Sequence, residues 1–164
     1  LDRADHLATD GPGQIAGLYP YQDLVAERVA NADLVVGAVL VAGARAPHVV
    51  SRELVGAMEP GSVITDVAVD QGGCIATTRP TSYDEPTYVE QGVVHFAVTN
   101  MPAAVPRTAT RALSARLLPY VQELAGSLQG DLDGALEDDP AMAEGLNVRD
   151  GHITHPAVAR AVGG

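Results

Sequence analysis

Apolar and polar positions follow two different patterns along this chain. Residues 34–41 (Leu-Val-Val-Gly-Ala-Val-Leu-Val) are a nearly continuous apolar run, as expected of a strand buried on both faces of a parallel sheet. Residues 62–69 and 93–98 read as two further strands, the former rich in β-branched side chains. Between the first two, Ser51 can cap a helix whose apolar Leu54, Val55 and Met58 recur at helical spacing before Pro60 and Gly61 end it. Residues 23–32 predict another helix, with Leu24, Val25 and Val29 on one side, and residues 15–18 a short strand ahead of it. Strands recurring about every 30 residues with helices between them indicate βαβ units, because parallel neighbours need a crossover. The expected fold is therefore α/β, with half of a doubly wound parallel sheet.

From Pro106 the character changes. A long Ala/Leu segment to residue 128 sets Ala109, Leu113, Leu117, Val121 and Leu124 on one stripe, and Pro119 inside it predicts a kink or a break. The acidic stretch 131–139 reads as a solvated helix or loop, and residues 141–164 as short helical pieces around a turn at Gly151.

Composition narrows the function. Apolar residues make up 46% and charged residues 19%, the balance of a globular protein. The net charge of -11 repels phosphate backbones and anionic lipid, so a small-molecule ligand is expected, with no nucleic acid and no membrane partner. All ten basic residues are Arg, so an amine for Schiff-base chemistry must come from elsewhere. The single cysteine, Cys74, excludes an internal disulfide and a cysteine-based zinc site, and fits a reducing, cytoplasmic setting. No apolar stretch reaches the roughly 18 residues of a membrane span, and the first residues do not resemble a signal peptide. The chain begins with Leu and reads as cut from something longer.

Five motifs are candidates for chemistry. Gly11-Pro-Gly-Gln-Ile-Ala-Gly17 resembles a phosphate loop only superficially, because no buried strand leads into it, and a surface loop is expected. In Asp66-Val-Ala-Val-Asp-Gln-Gly-Gly-Cys74 an apolar strand ends in an acid and two glycines. Ligands of open α/β sheets bind beyond strand carboxyl ends, where glycines allow close backbone approach. Asp70 suits either that role or ordinary turn hydrogen bonds. Cys74 has no paired histidine and is expected to be a buried core residue. Asn100-Met-Pro102 follows the third strand, where an Asn amide fits a cofactor carboxamide or ribose, or a simple turn. His152 and His155 lack a third ligand and read as a surface pair, so no metal is expected.

Together, residues 32–40 and Asp66–Cys74, Arg79-Pro-Thr81, Pro86-Thr-Tyr88 and Asn100-Met-Pro-Ala-Ala-Val-Pro-Arg-Thr108 closely resemble the alanine dehydrogenase family in order, spacing and residue type. The resemblance is strongest over residues 32–108. The related NAD-binding subunit of proton-pumping transhydrogenase shares the strand pattern and a similar Gly-Gly segment but lacks the Asp-Gln-Gly-Gly-Cys run and the Pro-Arg-Thr ending. The resemblance implies reversible oxidative deamination of L-alanine to pyruvate and ammonia with NAD(H), in a cytoplasmic homohexamer. It divides the chain into a partial dinucleotide-binding, Rossmann-type domain (1–104) and a helical segment of the substrate domain (105–164).

In that family the aspartate matching Asp70 lies at the nicotinamide end and acts with a histidine from the amino-terminal half. Positions matching Val39, Leu40, Val67, Ala68, Val69, Asp70, Arg79, Val98, Thr99, Asn100 and Met101 line the cofactor, and Arg3 matches a basic contact near the adenosine end. Pro20 stands where the family has a serine touching adenosine, and proline donates no hydrogen bond there. The family's glycine-rich loop, ribose-reading acid, catalytic histidine, and substrate-holding arginine and lysine would precede Leu1. The resulting expectation is an alanine dehydrogenase whose present chain is inactive and unstable alone. The alternatives are a non-catalytic, truncated assembly remnant and a transhydrogenase-type subunit.

Overall fold

The computed structural model describes residues 16–127 and 131–162. Its sheet contains β1 (Leu34–Gly37), β2 (Val63–Asp66), β3 (Thr87–Glu90) and β4 (Val93–Phe96), in the order β1-β2-β4-β3. β1, β2 and β4 are parallel, and β3 returns antiparallel on β4. Helices α1 (Gln22–Ala30) and α2 (Arg52–Gly56) pack against each other in the segments flanking β1. Ser51 caps α2 as expected, its hydroxyl accepting from the Leu54 N–H at 3.3 Å.

The core joins α1, α2 and the sheet. Val29, Val50, Val55, Met58, Ile64, Cys74, Ile75 and Val93 form one buried cluster. Beyond β1, residues 46–50 run beside residues 71–76. Val49 N–H donates to the Cys74 carbonyl at 2.8 Å, and Ala76 N–H to the Val50 carbonyl at 2.9 Å.

Several expectations need correction. The apolar run 34–41 is strand only to Gly37, because its register partner is Asp66 and the chain beyond Asp66 coils away, leaving the ladder nothing to pair with. Nor is β1 buried on both faces: Leu34 and Val36 are each 57% exposed. The strand expected over 62–69 ends at Asp66, and Val67–Gln71 form a 3-10 turn. No strand forms over residues 16–18, and Ile15 lies outside the described residues. β3 was hidden in a Pro- and Asp-rich stretch whose hydrophobicity is low; Gln91 (φ 54°) and Gly92 (φ 82°) turn it tightly into β4.

The later half is helical and loosely packed. α3 (Pro106–Ser127) runs through Pro119 as one helix, so the division expected there does not occur. Residues 111–126 are all exposed, so the Ala115 carbonyl that Pro119 leaves without a donor can turn to water. The stripe residues Leu113, Leu117, Val121 and Leu124 are likewise exposed. Part of the stripe faces α4 (Leu132–Asp138) and α5 (Pro140–Glu144) across an apolar cavity of about 410 Å³. The acidic segment is a solvated helix, with Asp131 capping α4 through the Gly134 N–H at 2.8 Å. The turn at Gly151 joins two short strands not expected from the sequence, β5 (Val148–Arg149) and β6 (His152–Ile153), between the expected helical pieces, with Asp150 and Gly151 both at positive φ. α6 (Pro156–Val162) follows. No helix among the described residues is long and apolar enough to cross a membrane.

This division of burial gives a direct test. Ile64 is 1% exposed at the centre of the sheet, so Ile64→Ala should lower unfolding free energy by about 2–5 kcal/mol in urea titrations. Val36→Thr, on the bare face of β1, should cost under about 1 kcal/mol. Equal losses would contradict the burial pattern.

Candidate functional site

The three parallel strands release their chains at one end of the sheet, and the expected site residues follow each of them. Val39 and Leu40 come after β1, Val67 to Asp70 after β2, and Val98 to Met101 after β4. The segments after β1 and β2 enclose a crevice of about 310 Å³ lined by Ala38, Val39, Leu40, Val67, Ala68, Asp70 and Gln71. Its walls are apolar and Asp70 is its one carboxylate, an arrangement suited to a flat organic ring beside a proton-transferring group.

Asp66 holds this end of the sheet together. Its carboxylate is completely buried. Oδ1 accepts from the Ala68 N–H (3.0 Å) and Oδ2 from the Cys74 N–H (2.9 Å), the Ile75 N–H (3.2 Å) and the Thr78 hydroxyl (2.7 Å). These donors replace the water a buried carboxylate loses. For the chain to return onto Asp66 it must reverse at Gly72 (φ 94°) and Gly73 (φ 79°), a left-handed pair that side-chain-bearing residues adopt only with strain. A Cβ at Gly73 would also stand 3.0 Å from Asp66 Oδ2, and one at Gly72 2.4 Å from Arg45 Nε. The glycines thus serve the loop's own packing, a role beyond the close approach of a cofactor expected from the sequence.

Asp70 is placed by that loop. It lies on the 3-10 turn, exposed, one turn past the strand end where it was expected. Both its carboxylate oxygens accept from the Asn100 N–H, at 3.2 and 3.1 Å, which ties the loop after β2 to the loop after β4. Asn100 itself is left-handed (φ 52°, ψ 50°), a conformation Asn tolerates better than most residues. Its side-chain amide makes no hydrogen bond among the described residues and stays available to a ligand. Tyr83 Oη donates to the Met101 carbonyl at 3.0 Å and steadies the same loop, a contact that sequence reasoning missed because nothing in the 82–86 pattern marks it.

The remaining candidates separate into buried and exposed groups. Val69 and Val98 are buried, at 4% and 1% exposed, and Val98 forms a bridge to Thr81. Thr99 and Met101 flank Asn100 at the surface. Arg79 is exposed, with its guanidinium carbon 3.9 Å from the centre of the Tyr88 ring. Arg3 and residues 11–15 of the glycine-containing stretch lie outside the described residues. Cys74 is completely buried, and burial first, then the neighbouring Asp66 charge, pushes its thiol up, which makes it a poor nucleophile. His152 is exposed on β6, whereas His155 Nδ1 accepts from the Ala157 N–H at 3.2 Å.

A parallel sheet with connecting chains that converge on one crevice beyond its carboxyl edge defines an open, Rossmann-like α/β domain. Residues 2–156 match the family described as "Alanine dehydrogenase/PNT, C-terminal domain", and the chain belongs to that family. It is 49% identical over 163 residues to an alanine dehydrogenase of Halomonas elongata, covering 99% of this chain and 43% of the relative. It is 51% identical over 140 residues to that of Bacillus subtilis, covering 85% and 36%. Among solved structures, an L-alanine dehydrogenase superposes with a TM-score of 0.74 at 51% identity, covering 97% of this chain and 43% of the other. A transhydrogenase from Sinorhizobium meliloti superposes at 0.64 with 24% identity over 95% and 40%, a likeness of fold. The chain thus spans less than half the length of the relatives it matches.

The Asp66 network yields two measurements. An amide at position 66 offers one acceptor to donors that now share a carboxylate, so Asp66→Asn should destabilise the chain by about 3 kcal/mol or more. Cys74 should react with a thiol reagent only as the chain unfolds, and faster in Asp66→Asn. Rapid stoichiometric labelling of the folded parent would show that the loop is not closed over Asp66.

Proposed function

We propose that this chain is part of an NAD-dependent alanine dehydrogenase, which interconverts L-alanine and water with pyruvate and ammonia. The observation that carries the reading is Asp70, an exposed carboxylate on the lip of an apolar crevice, fixed by the Asn100 N–H. The relatives' names support it, since proteins about 50% identical over most of this chain are called alanine dehydrogenases.

The residues present fit the nicotinamide end of the cofactor. Val39, Leu40 and Val67 offer apolar walls for a planar ring, Ala68 and Val69 back them, and Asn100 has a free amide for a carboxamide or ribose hydroxyl. In this reading Val98, Thr99 and Met101, beside Asn100, belong to the same end of the cofactor, and Arg79 supplies a cation. Bound NAD supplies the hydride acceptor. What this chain contributes is position and proton transfer: water adds to the imine carbon and ammonia leaves it, and each step moves a proton that Asp70 Oδ can take up or return. The apolar walls exclude bulk water from the reacting carbon.

In this reading residues 1–104 belong to the dinucleotide-binding domain, with Arg3 toward the adenosine end, and residues 105–164 to the substrate domain. The enzyme is a cytoplasmic homohexamer. The chain contains no lysine to hold a substrate carbonyl, so by itself it should not turn over.

A chimera in which this chain replaces the matching segment of the Halomonas elongata relative tests the reading. It should form NADH in an alanine-dependent manner, and Asp70→Asn should lower kcat about a hundredfold or more with the fold retained. An unchanged rate in Asp70→Asn would remove Asp70 from the chemistry, and hydride exchange between nucleotides without alanine would favour the transhydrogenase reading.

A further inference from the structure

The antiparallel strand β3 contributes nothing to the crevice walls, yet it carries the side chain on which Arg79 rests. Tyr88 lies directly opposite His95 across the β3–β4 pair, and their rings stack at 4.8 Å between centroids, 20° apart in plane. His95 is 1% exposed and held at both nitrogens: Nε2 contacts the Thr77 hydroxyl at 2.7 Å and Nδ1 the Val93 carbonyl at 3.0 Å. Because a carbonyl only accepts, Nδ1 carries a proton and donates to Val93, while Nε2 shares a hydrogen bond with the Thr77 hydroxyl. The other face of Tyr88 carries the Arg79 guanidinium, 3.9 Å from the ring centre. The three side chains form one column, with a buried imidazole at the bottom and an exposed cation at the top.

The phenol closes the arrangement. Tyr88 Oη donates to the Thr77 carbonyl at 2.8 Å and accepts from the Arg79 backbone N–H at 2.9 Å. Tyr88 therefore fixes Arg79 twice, by its main chain through the hydroxyl and by its side chain through the ring. Burial pushes the phenol up, partly offset by the Arg79 N–H and charge, so it keeps its proton for the Thr77 carbonyl at neutral pH. Arg79 makes no ion pair among the described residues. With one face on the ring, the edges of its planar fork remain free for acceptor oxygens.

We propose that Tyr88 is a positioning residue that holds Arg79 ready for the dinucleotide, with His95 as its buried support. The proposal rests on the reading that Arg79 meets the cofactor. An arginine loose in solvent loses rotamer freedom when it binds, and the Tyr88 platform takes that loss during folding, before the ligand arrives. The gain therefore belongs to cofactor binding and not to the chemical step.

A double-mutant cycle in the Halomonas elongata chimera tests this. Arg79→Met should raise KM for NAD about tenfold or more, and Tyr88→Phe, which keeps the ring and loses both hydroxyl bonds, about threefold. Tyr88→Leu should approach the Arg79→Met value. All three effects should fall on KM and leave kcat at saturating NAD close to the parent's. In the Arg79→Met background, Tyr88→Phe should add nothing. If Arg79→Met leaves KM for NAD unchanged, the reading of Arg79 fails and the proposal falls with it. If Arg79→Met weakens binding and neither Tyr88 variant does, only the proposal fails, as it also does if Tyr88→Phe keeps its full effect without the arginine. Independently of any enzyme assay, a crystal structure of the chimera should show the Arg79 guanidinium stacked on the Tyr88 ring and released in Tyr88→Leu; an unstacked Arg79 in the parent overturns the geometry.

Discussion

A buried carboxylate holds together the working end of this sheet. Asp66 closes β2; it makes no ion pair among the described residues, and it is satisfied by three backbone N–H groups and the Thr78 hydroxyl. A charge so enclosed is tolerable only if every donor stays in place. That requirement sets the path of residues 67–78: a 3-10 turn that starts on Asp66, a reversal through two left-handed glycines, and a return that delivers the Cys74 and Ile75 amides. Asp70 projects from the middle of this loop. Its position is thus inherited from a carboxylate four residues earlier that never faces the crevice.

The molecule is uneven in how well it is packed. The sheet, α1, α2 and the Asp66 loop share one buried cluster, whereas no residue of α3, α4, α5 or α6 is buried. α3 presents Leu113, Leu117, Val121 and Leu124 at 42–60% exposure, and β1 leaves Leu34 and Val36 bare. An apolar surface of that extent is unusual for a monomer in water. The chain spans 43% of a relative nearly half identical to it.

Much of the architecture was legible because hydrophobic runs report burial. The three parallel strands, the Ser51 cap and the stripe of α3 were each visible as a period or a punctuating residue. The strand ends were not. Residues 38–40 and 67–68 are as apolar as the strands they follow, since they line a crevice, and hydrophobicity alone cannot separate a crevice wall from a sheet interior. β3 escaped because only Tyr88 and Val89 mark it within a polar stretch. At the site, the Asp66–Cys74 motif was recognised before its physics was. What the motif did not disclose is that its glycines also serve partners within the chain, Gly73 leaving room for Asp66 and Thr78 and Gly72 for Arg45. The column of Arg79, Tyr88 and His95 was out of reach, because it depends on a cross-strand register that no local pattern specifies.

Gly37 ends β1 directly against the sulfur of Cys74, where an added Cβ would stand 2.6 Å from Sγ and 3.1 Å from Asp66 Oδ1. Two residues 37 positions apart therefore occupy a single volume, one giving up its side chain so that the other can have one. Neither can be altered in isolation: enlarging position 37 pushes the sulfur onto the carboxylate, and enlarging position 74 pushes it into the backbone of β1. Drift in this part of the chain has to be paired, and the few atoms between β1 and the Asp66 loop set how far the motif can vary before the crevice itself changes shape.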